Sequence, residues 1–194
     1  MGCYEDIGEL RNVRWNEDNL SLSLFCYKPG RSGQTDRATQ FILDFKNFSP
    51  NCLSTALRQV HHVLQEYVEQ WRRDFDCRYV IPVPGHAAGD VPRSSQLVCD
   101  FLSSVFPWLQ YPERLLFRQT SVPPAHMARP WERPTAQEHF ESLGCSEADL
   151  AGAGVILFDD IRTSGNTSLA CKWRLQQGTG CGDVVRIFLG RTGL

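Results

Sequence analysis

Two adjacent acids, Asp159 and Asp160, follow the apolar run Val155, Ile156, Leu157 and Phe158 and precede the turn Thr163, Ser164, Gly165, Asn166 and Thr167. Carboxylates accept hydrogen bonds from hydroxyl groups and offer oxygen ligands to a hydrated Mg²⁺. A Thr/Ser/Gly turn that runs into a helix instead presents hydroxyl and backbone N–H donors to an anion, at the positive end of the helix dipole. Gly165 lets those amides approach a ligand closely. One short segment thus carries both halves of a site for a phosphorylated sugar. The four apolar residues predict a strand covered on both faces that stops at the acids, and Leu169, Ala170, Trp173 and Leu175 predict the helix after the turn. In open α/β sheets, ligands bind outside the carboxyl ends of the strands.

A second stretch offers further donors. Residues 78–84, Arg-Tyr-Val-Ile-Pro-Val-Pro, read as a strand whose prolines mark where it leaves the sheet, followed by the exit loop Gly85, His86, Ala87, Ala88 and Gly89. Small residues there suit close approach of amides to an anion. His86, and farther on His126 and His139, have the chemistry to screen phosphate charge or shuttle a proton. Arg118, Arg129 and Arg133 either pair with anionic oxygens or sit solvated on a loop. His61 and His62 are neighbours on a helix and face different directions, so they read as boundary and surface residues, not as a metal pair.

The elements that must position these residues follow from periodicity. Residues 19–27 alternate through Leu20, Leu22, Leu24 and Cys26 and read as a strand; after the polar loop 28–40, Phe41–Phe45 reads as a second, forming a hairpin. Leu53, Leu57, Val60, Leu64, Val68 and Trp71 recur at helical spacing over 53–75. A helix is expected over 93–106 with Leu97, Phe101, Leu102 and Val105 inward, then a short strand at Leu115–Phe117. Residues 119–145 are polar, Pro-rich and poorly periodic, the character of a functional loop such as a lid. A final strand is expected over 183–189, after a helix-to-strand turn at Gly178–Gly182.

Composition bounds the function classes. With 194 residues, 42% of them hydrophobic, the chain is of a size to bury one sizeable core. A formal net charge of −2 and a pI near 6.2 give no basic footprint, so direct nucleic-acid binding is not expected. Glu5, Asp6 and Glu9 and the lack of an apolar run argue against a signal peptide, no stretch has the length of a membrane span, and the cytoplasm is the expected location. Eight cysteines without a single C-x-x-C pair read as small apolar residues. Walker, G-x-S-x-G and H-E-x-x-H motifs are absent, which leaves P-loop, serine-esterase and zincin chemistry without support.

The segment 155–167 resembles the motif that binds phosphoribosyl pyrophosphate (PRPP) in type I phosphoribosyltransferases: four apolar residues, two acids, then a Thr/Ser-Gly-x-Thr loop. Val80, Ile81, Pro82, Val83 and Pro84, with Arg93 and the run Arg118, Ser121, Pro123 and Pro124, look like the ComF-type branch of predicted amidophosphoribosyltransferases. The likeness spans residues 78–192. It lacks that branch's N-terminal zinc module, so zinc is not expected; of the block after the Pro-Val-Pro strand only Arg93 and Gln96 carry over; and Arg162 stands where a small or aliphatic residue is usual, either reaching a phosphate or pointing to solvent.

The resemblance implies an α/β fold with a doubly wound, mostly parallel sheet in one domain, 1–194, with a hairpin extension at 1–50 and a lid or hood at 107–145. It implies a glycosyltransferase of nucleotide metabolism that moves the 5-phosphoribosyl group of PRPP to a nitrogen acceptor and releases pyrophosphate. Asp159 and Asp160 would be the catalytic acids, meeting the ribose hydroxyls and, through water, Mg²⁺; Thr163, Ser164, Gly165, Asn166 and Thr167 would hold the 5′-phosphate. Gly85, His86, Ala87, Arg93 and Arg118 would serve the pyrophosphate. A sensor or accessory protein that binds PRPP or a nucleotide without turnover, in DNA uptake, DNA processing or defence, is the alternative. The acceptor is unnamed, and a homodimer or a protein partner stays open.

Overall fold

The computed structural model describes residues 4, 7, 13–18, 20–28, 36–124, 129 and 132–192. Five strands form one sheet: β1 (Arg14–Asn16), β2 (Ser21–Tyr27), β3 (Cys77–Pro82), β6 (Gly154–Arg162) and β7 (Val184–Thr192), in the order β1-β2-β7-β6-β3. Within this sheet the β1–β2 pair is antiparallel, and β2, β7, β6 and β3 run parallel. A separate two-stranded sheet joins β4 (Leu116–Arg118) to β5 (Leu143–Cys145). The helices are α1 (Arg37–Lys46), α2 (Pro50–Phe75), α3 (Arg93–Val105), α4 (Ala136–Glu141) and α5 (Asn166–Thr179).

Alternation along β6 explains how the layers are assigned. Side chains on a strand point to opposite faces in turn. Ile156 and Phe158 join a core with α1, α2 and α3, through residues such as Phe45, Val60, Trp71 and Leu102. Val155 and Leu157 join a second core with Ala170, Cys171 and Leu175 of α5 and Leu116 and Leu143 of the small sheet. Both faces are therefore covered, which is why the run Val155–Phe158 is continuously apolar.

The hairpin expected of 19–27 with Phe41–Phe45 does not form: β2 pairs antiparallel with β1 upstream of it, and Phe41–Phe45 lies in helix α1. Ala38, Phe41, Ile42 and Phe45 fall on one helical stripe and are buried, and Asp36 caps the helix by accepting from the Thr39 amide at 2.8 Å. The expected helices at 53–75 and 93–106 are present as α2 and α3. The inward face of α3 is turned from the expected one: Ser94, Ser95, Val98, Cys99 and Leu102 are buried, with Leu97, Phe101 and Val105 at its margins.

Residues 119–145 are not a structureless loop. They contain α4, entered through a capping box in which Thr135 and Glu138 bond each other's backbone, and β5. The pattern Thr135-x-x-Glu138 was the readable signal. None of the seven described cysteines is in a disulfide with another described residue, and five of them are buried, as expected of small apolar residues. No described helix is long and apolar enough to cross a membrane.

β6 begins at Gly154, which fits only because it has no side chain: a Cβ there would stand 2.1 Å from the Phe75 carbonyl oxygen and 3.1 Å from Cys77 Cα. Both are backbone, so neither yields without moving α2 or β3. Gly154→Ala is expected to cost about 2 kcal/mol or more and to lower the thermal midpoint by at least ~4 °C. A melting curve unchanged by this substitution would contradict the packing of β6 against the end of α2.

Candidate functional site

The neighbours of β6 do not end together. β3 pairs with it only as far as Pro82 opposite Phe158, with a last bond from the Val83 amide to the Phe158 carbonyl at 2.8 Å. β7 continues, matching Asp159 with Phe188, Ile161 with Gly190 and Arg162 with Arg191. The strand therefore runs through both acids to Arg162 instead of stopping at Phe158. The acids begin where β3 peels away, so one edge of the β6 tip has no strand paired to it among the described residues, at the carboxyl end where open α/β sheets bind ligands.

The two carboxylates leave the strand on opposite faces. Asp160 points to the α1 side, where Lys46 Nζ stands 3.6 Å from its Oδ2. Asp159 lies on the α5 side, near Cys171, and its Oδ1 accepts from the Asp160 amide at 2.9 Å. Burial, then the like charge of Asp160, pushes the Asp159 carboxyl well above the usual carboxylate range, with Lys46 opposing in part. An acid held this way is short of a partner.

Beyond Arg162 the chain turns at Gly165, whose φ of +83° favours glycine, and enters α5 without a side-chain cap. Asn166 N donates weakly to Ser164 Oγ at 3.3 Å; among the described residues the amides of Thr163, Ser164, Gly165, Thr167 and Ser168 meet no acceptor. These are the unpaired donors that an oxyanion satisfies. Thr163 and Ser164 are exposed, Gly165, Asn166 and Thr167 half-buried. Asn166 Nδ2 donates to the Pro134 carbonyl at 3.1 Å, and Thr167 Oγ1 lies 3.2 Å from His139 Nε2.

Cations back this turn. Arg162 neither projects into solvent nor crosses the turn: its Nε lies 3.4 Å from where a Gly165 Cβ would stand, its Nη1 donates to Ser21 Oγ at 3.2 Å and its guanidinium rests over Phe188. Buried Arg186 reaches Ser168 Oγ at 3.4 Å; burial, then the charge of Arg162, holds it below the ordinary arginine range. Lys46 and Arg186 were not singled out from sequence. Arg186 could have been, as the one charge inside the apolar run Val184–Leu189.

The β3 exit loop is a closed turn. Gly85 N donates to Asp90 O, Ala88 N to Ser121 Oγ and Gly89 N to Arg118 O, which leaves the amides of His86 and Ala87 without an acceptor among the described residues. A Cβ on Gly85 would meet Asp90 Oδ2 at 2.1 Å. His86 is exposed, and Arg93, at the start of α3, lies over the Phe48 ring with its guanidinium carbon 4.8 Å from the centroid. Arg118 is neither a solvated loop residue nor an open anion ligand. It is buried in β4, with Nε on the Gly85 carbonyl at 2.9 Å and Nη1 on the His139 carbonyl at 3.4 Å and on Ser142 Oγ. Arg129 and Arg133 are exposed; His126 lies outside the described residues. His61, half-buried between Phe101 and Phe106, and exposed His62 match the expected boundary and surface roles.

Arg118 and His139 thus join the two loops: Gly85 carbonyl to Arg118, Arg118 to the His139 backbone, His139 ring to Thr167. His139 is buried, and burial first, then the charge of Arg118, brings its pKa from 6.5 down to about 4. At neutral pH it is an uncharged hydrogen-bonding group and cannot screen phosphate as a cation. A cavity of about 230 Å³ lies nearby, lined by Pro82, Val91, Gln96, Asp100, Tyr111 and Arg114 among others, but neither acid nor the Thr163–Thr167 turn borders it. No family model matches the chain, and no curated protein does.

Two outcomes follow. Asp159→Asn removes a destabilised charge, so its thermal midpoint should rise, by about 2–4 °C for each kcal/mol recovered; a lower midpoint would contradict the strain assigned to this acid. Between pH 6.5 and about 4 the unfolded chain binds a proton at residue 139 that the folded protein excludes. Stability is therefore lost as pH falls through that window. Denaturant midpoints of wild type and His139→Gln should converge as the pH is lowered; parallel curves would contradict a neutral buried imidazole.

Proposed function

We propose that the chain is a type I phosphoribosyltransferase-like enzyme that binds PRPP and transfers its 5-phosphoribosyl group to a nitrogen acceptor. One observation carries the reading: at the tip of β6 that β3 leaves unpaired, two adjacent carboxylates, one on each face of the strand, run directly into a turn of unpaired amides, with the spacing of the PRPP motif. Sugar hydroxyls need acceptors and a phosphate needs donors, and a phosphorylated sugar uses both. The mostly parallel sheet with covered faces supports a fold of that family's kind.

In this reading the amides and hydroxyls of Thr163–Thr167 hold the 5′-phosphate, with Arg162 and Arg186 supplying positive potential from behind. Asp159 and Asp160 accept from the ribose hydroxyls. The acceptor nitrogen lone pair forms a bond to the anomeric carbon while the carbon–oxygen bond to pyrophosphate breaks, the electron pair leaving with pyrophosphate. Positive charge develops on the ribose in between, and fixed carboxylates stabilise it.

Among the described residues no three His, Cys, Asp or Glu side chains converge as a metal site. Two carboxylates, one of them beside Lys46, fit a Mg²⁺ held mainly by water and substrate oxygens. Such an ion neutralises the leaving pyrophosphate when bound. The proposed location is the cytoplasm.

A second reading, PRPP binding without turnover, is favoured by the β3 exit loop: three of its five amides are used by its own turn or its neighbours, and Arg118 is committed to carbonyls. The test is Mg²⁺-dependent PRPP titration with a pyrophosphate-release assay in the presence of ammonia. Wild type should bind, and the Asp159→Asn/Asp160→Asn double variant should bind at least about tenfold more weakly, the loss of one charge-assisted bond. Binding with no pyrophosphate release selects the sensor reading; equal binding by both proteins contradicts the assignment of the acids.

A further inference from the structure

Thr167 occupies the first turn of α5, where its hydroxyl borders the unpaired amides, and among the described residues its hydroxyl pairs with the ring of His139 across from α4, at 3.2 Å between Oγ1 and Nε2. Which of the two atoms donates decides what Thr167 can do. If Nε2 is a bare acceptor, the hydroxyl proton is consumed by the ring, and Thr167 turns a lone pair toward any anion. If Nε2 carries the proton, the ring donates to Oγ1, and the hydroxyl proton is left to point at the anion.

The surroundings of Nδ1 choose between these tautomers. His139 is 7% exposed, and its Nδ1 has no hydrogen-bond partner among the described residues. Orphaned buried N–H groups are rarer in folded proteins than under-satisfied acceptors, which favours leaving Nδ1 as the bare lone pair. The Arg118 guanidinium, anchored to the His139 carbonyl, adds a positive field that opposes a second ring proton and keeps the ring neutral. The capping box at Thr135 and the bond from Arg174 Nη2 to the Phe140 carbonyl at 2.8 Å fix α4 against α5, so the ring is held where it is.

We propose that His139 is a positioning residue: in its Nε2–H tautomer it donates to Thr167 Oγ1 and thereby turns the Thr167 hydroxyl into a donor for an oxyanion bound on the first turn of α5. It touches no ligand itself. The inference rests on the phosphate half of the proposed site and deepens it, by making the hood helix α4 a working part of the cradle. It holds for any phosphate at that turn, whether or not a ribose is attached.

The test uses ribose 5-phosphate and inorganic phosphate as separate probes, titrated against wild type, His139→Leu, His139→Gln, Thr167→Val and the His139→Leu/Thr167→Val pair. Thr167→Val should weaken binding of a phosphate probe about tenfold, one hydrogen bond to a charged group. His139→Leu should weaken it about threefold to tenfold, His139→Gln, which keeps a donor at the same reach, should recover most of that loss, and the double variant should be no weaker than Thr167→Val alone. ¹⁵N NMR of the His139 ring should find the proton on Nε2. Losses that multiply in the double variant, full affinity in His139→Leu, or a proton on Nδ1 would overturn the proposal. Binding of inorganic phosphate with this pattern but no binding of ribose 5-phosphate would support it while removing the ribosyl reading; binding of neither probe would overturn both.

Discussion

Everything at this site depends on unequal strand pairing around β6. β3 releases it at Phe158 while β7 holds it to Arg162, so four residues of strand project beyond the shared core with backbone geometry still fixed on one side. A free loop would let Asp159 relax toward water and lose its strain. The ladder to β7 prevents that, and the unfavourable position of Asp159, close to Asp160 and half out of water, is stored in the folded protein. Stored electrostatic strain of this kind is relieved when hydroxyl donors or a cation arrive, so it favours ligand binding over stability.

The second organising feature is a chain of polar contacts that links the two loops at the strand tips. Arg118 uses its buried guanidinium on the carbonyls of Gly85 and His139 and on Ser142, and His139 reaches Thr167. These bonds tie the β3 exit loop to the β6–α5 turn through β4 and α4, elements that belong to neither. A buried cation without bonded partners would be costly, so this arginine and the carbonyls around it fix one another in a single geometry. The small β4–β5 sheet and the 134–142 segment are thereby framework for the site, with α4 held over α5 by Arg174 stacked 4.1 Å from the Phe140 ring centroid.

Sequence legibility followed how local the governing physics was. The β6–α5 unit could be read because its apolar run, acids, glycine and helix onset lie within 25 residues or so of each other and each obeys a short-range rule. α2 could be read from its long apolar stripe. Phe41–Phe45 was misleading since a short apolar run has no distinct period; the stripe through Ala38 and the Asp36 cap resolve it only when taken together. The partner of β2 was hidden altogether, because its pairing with β7 is set by residues more than 150 positions away. Arg118 shows the same limit: an arginine in a polar, Pro-rich stretch reads as solvated, and only tertiary carbonyls reveal it as an interior clamp.

The most direct measurement is a crystal structure of the protein grown with PRPP and Mg²⁺. The account predicts the 5′-phosphate within hydrogen-bonding distance of the backbone amides of residues 163–168 and the ribose hydroxyls against Asp159 and Asp160. Density for the ligand at another surface, or a phosphate at the turn with its ribose directed away from both acids, would contradict it.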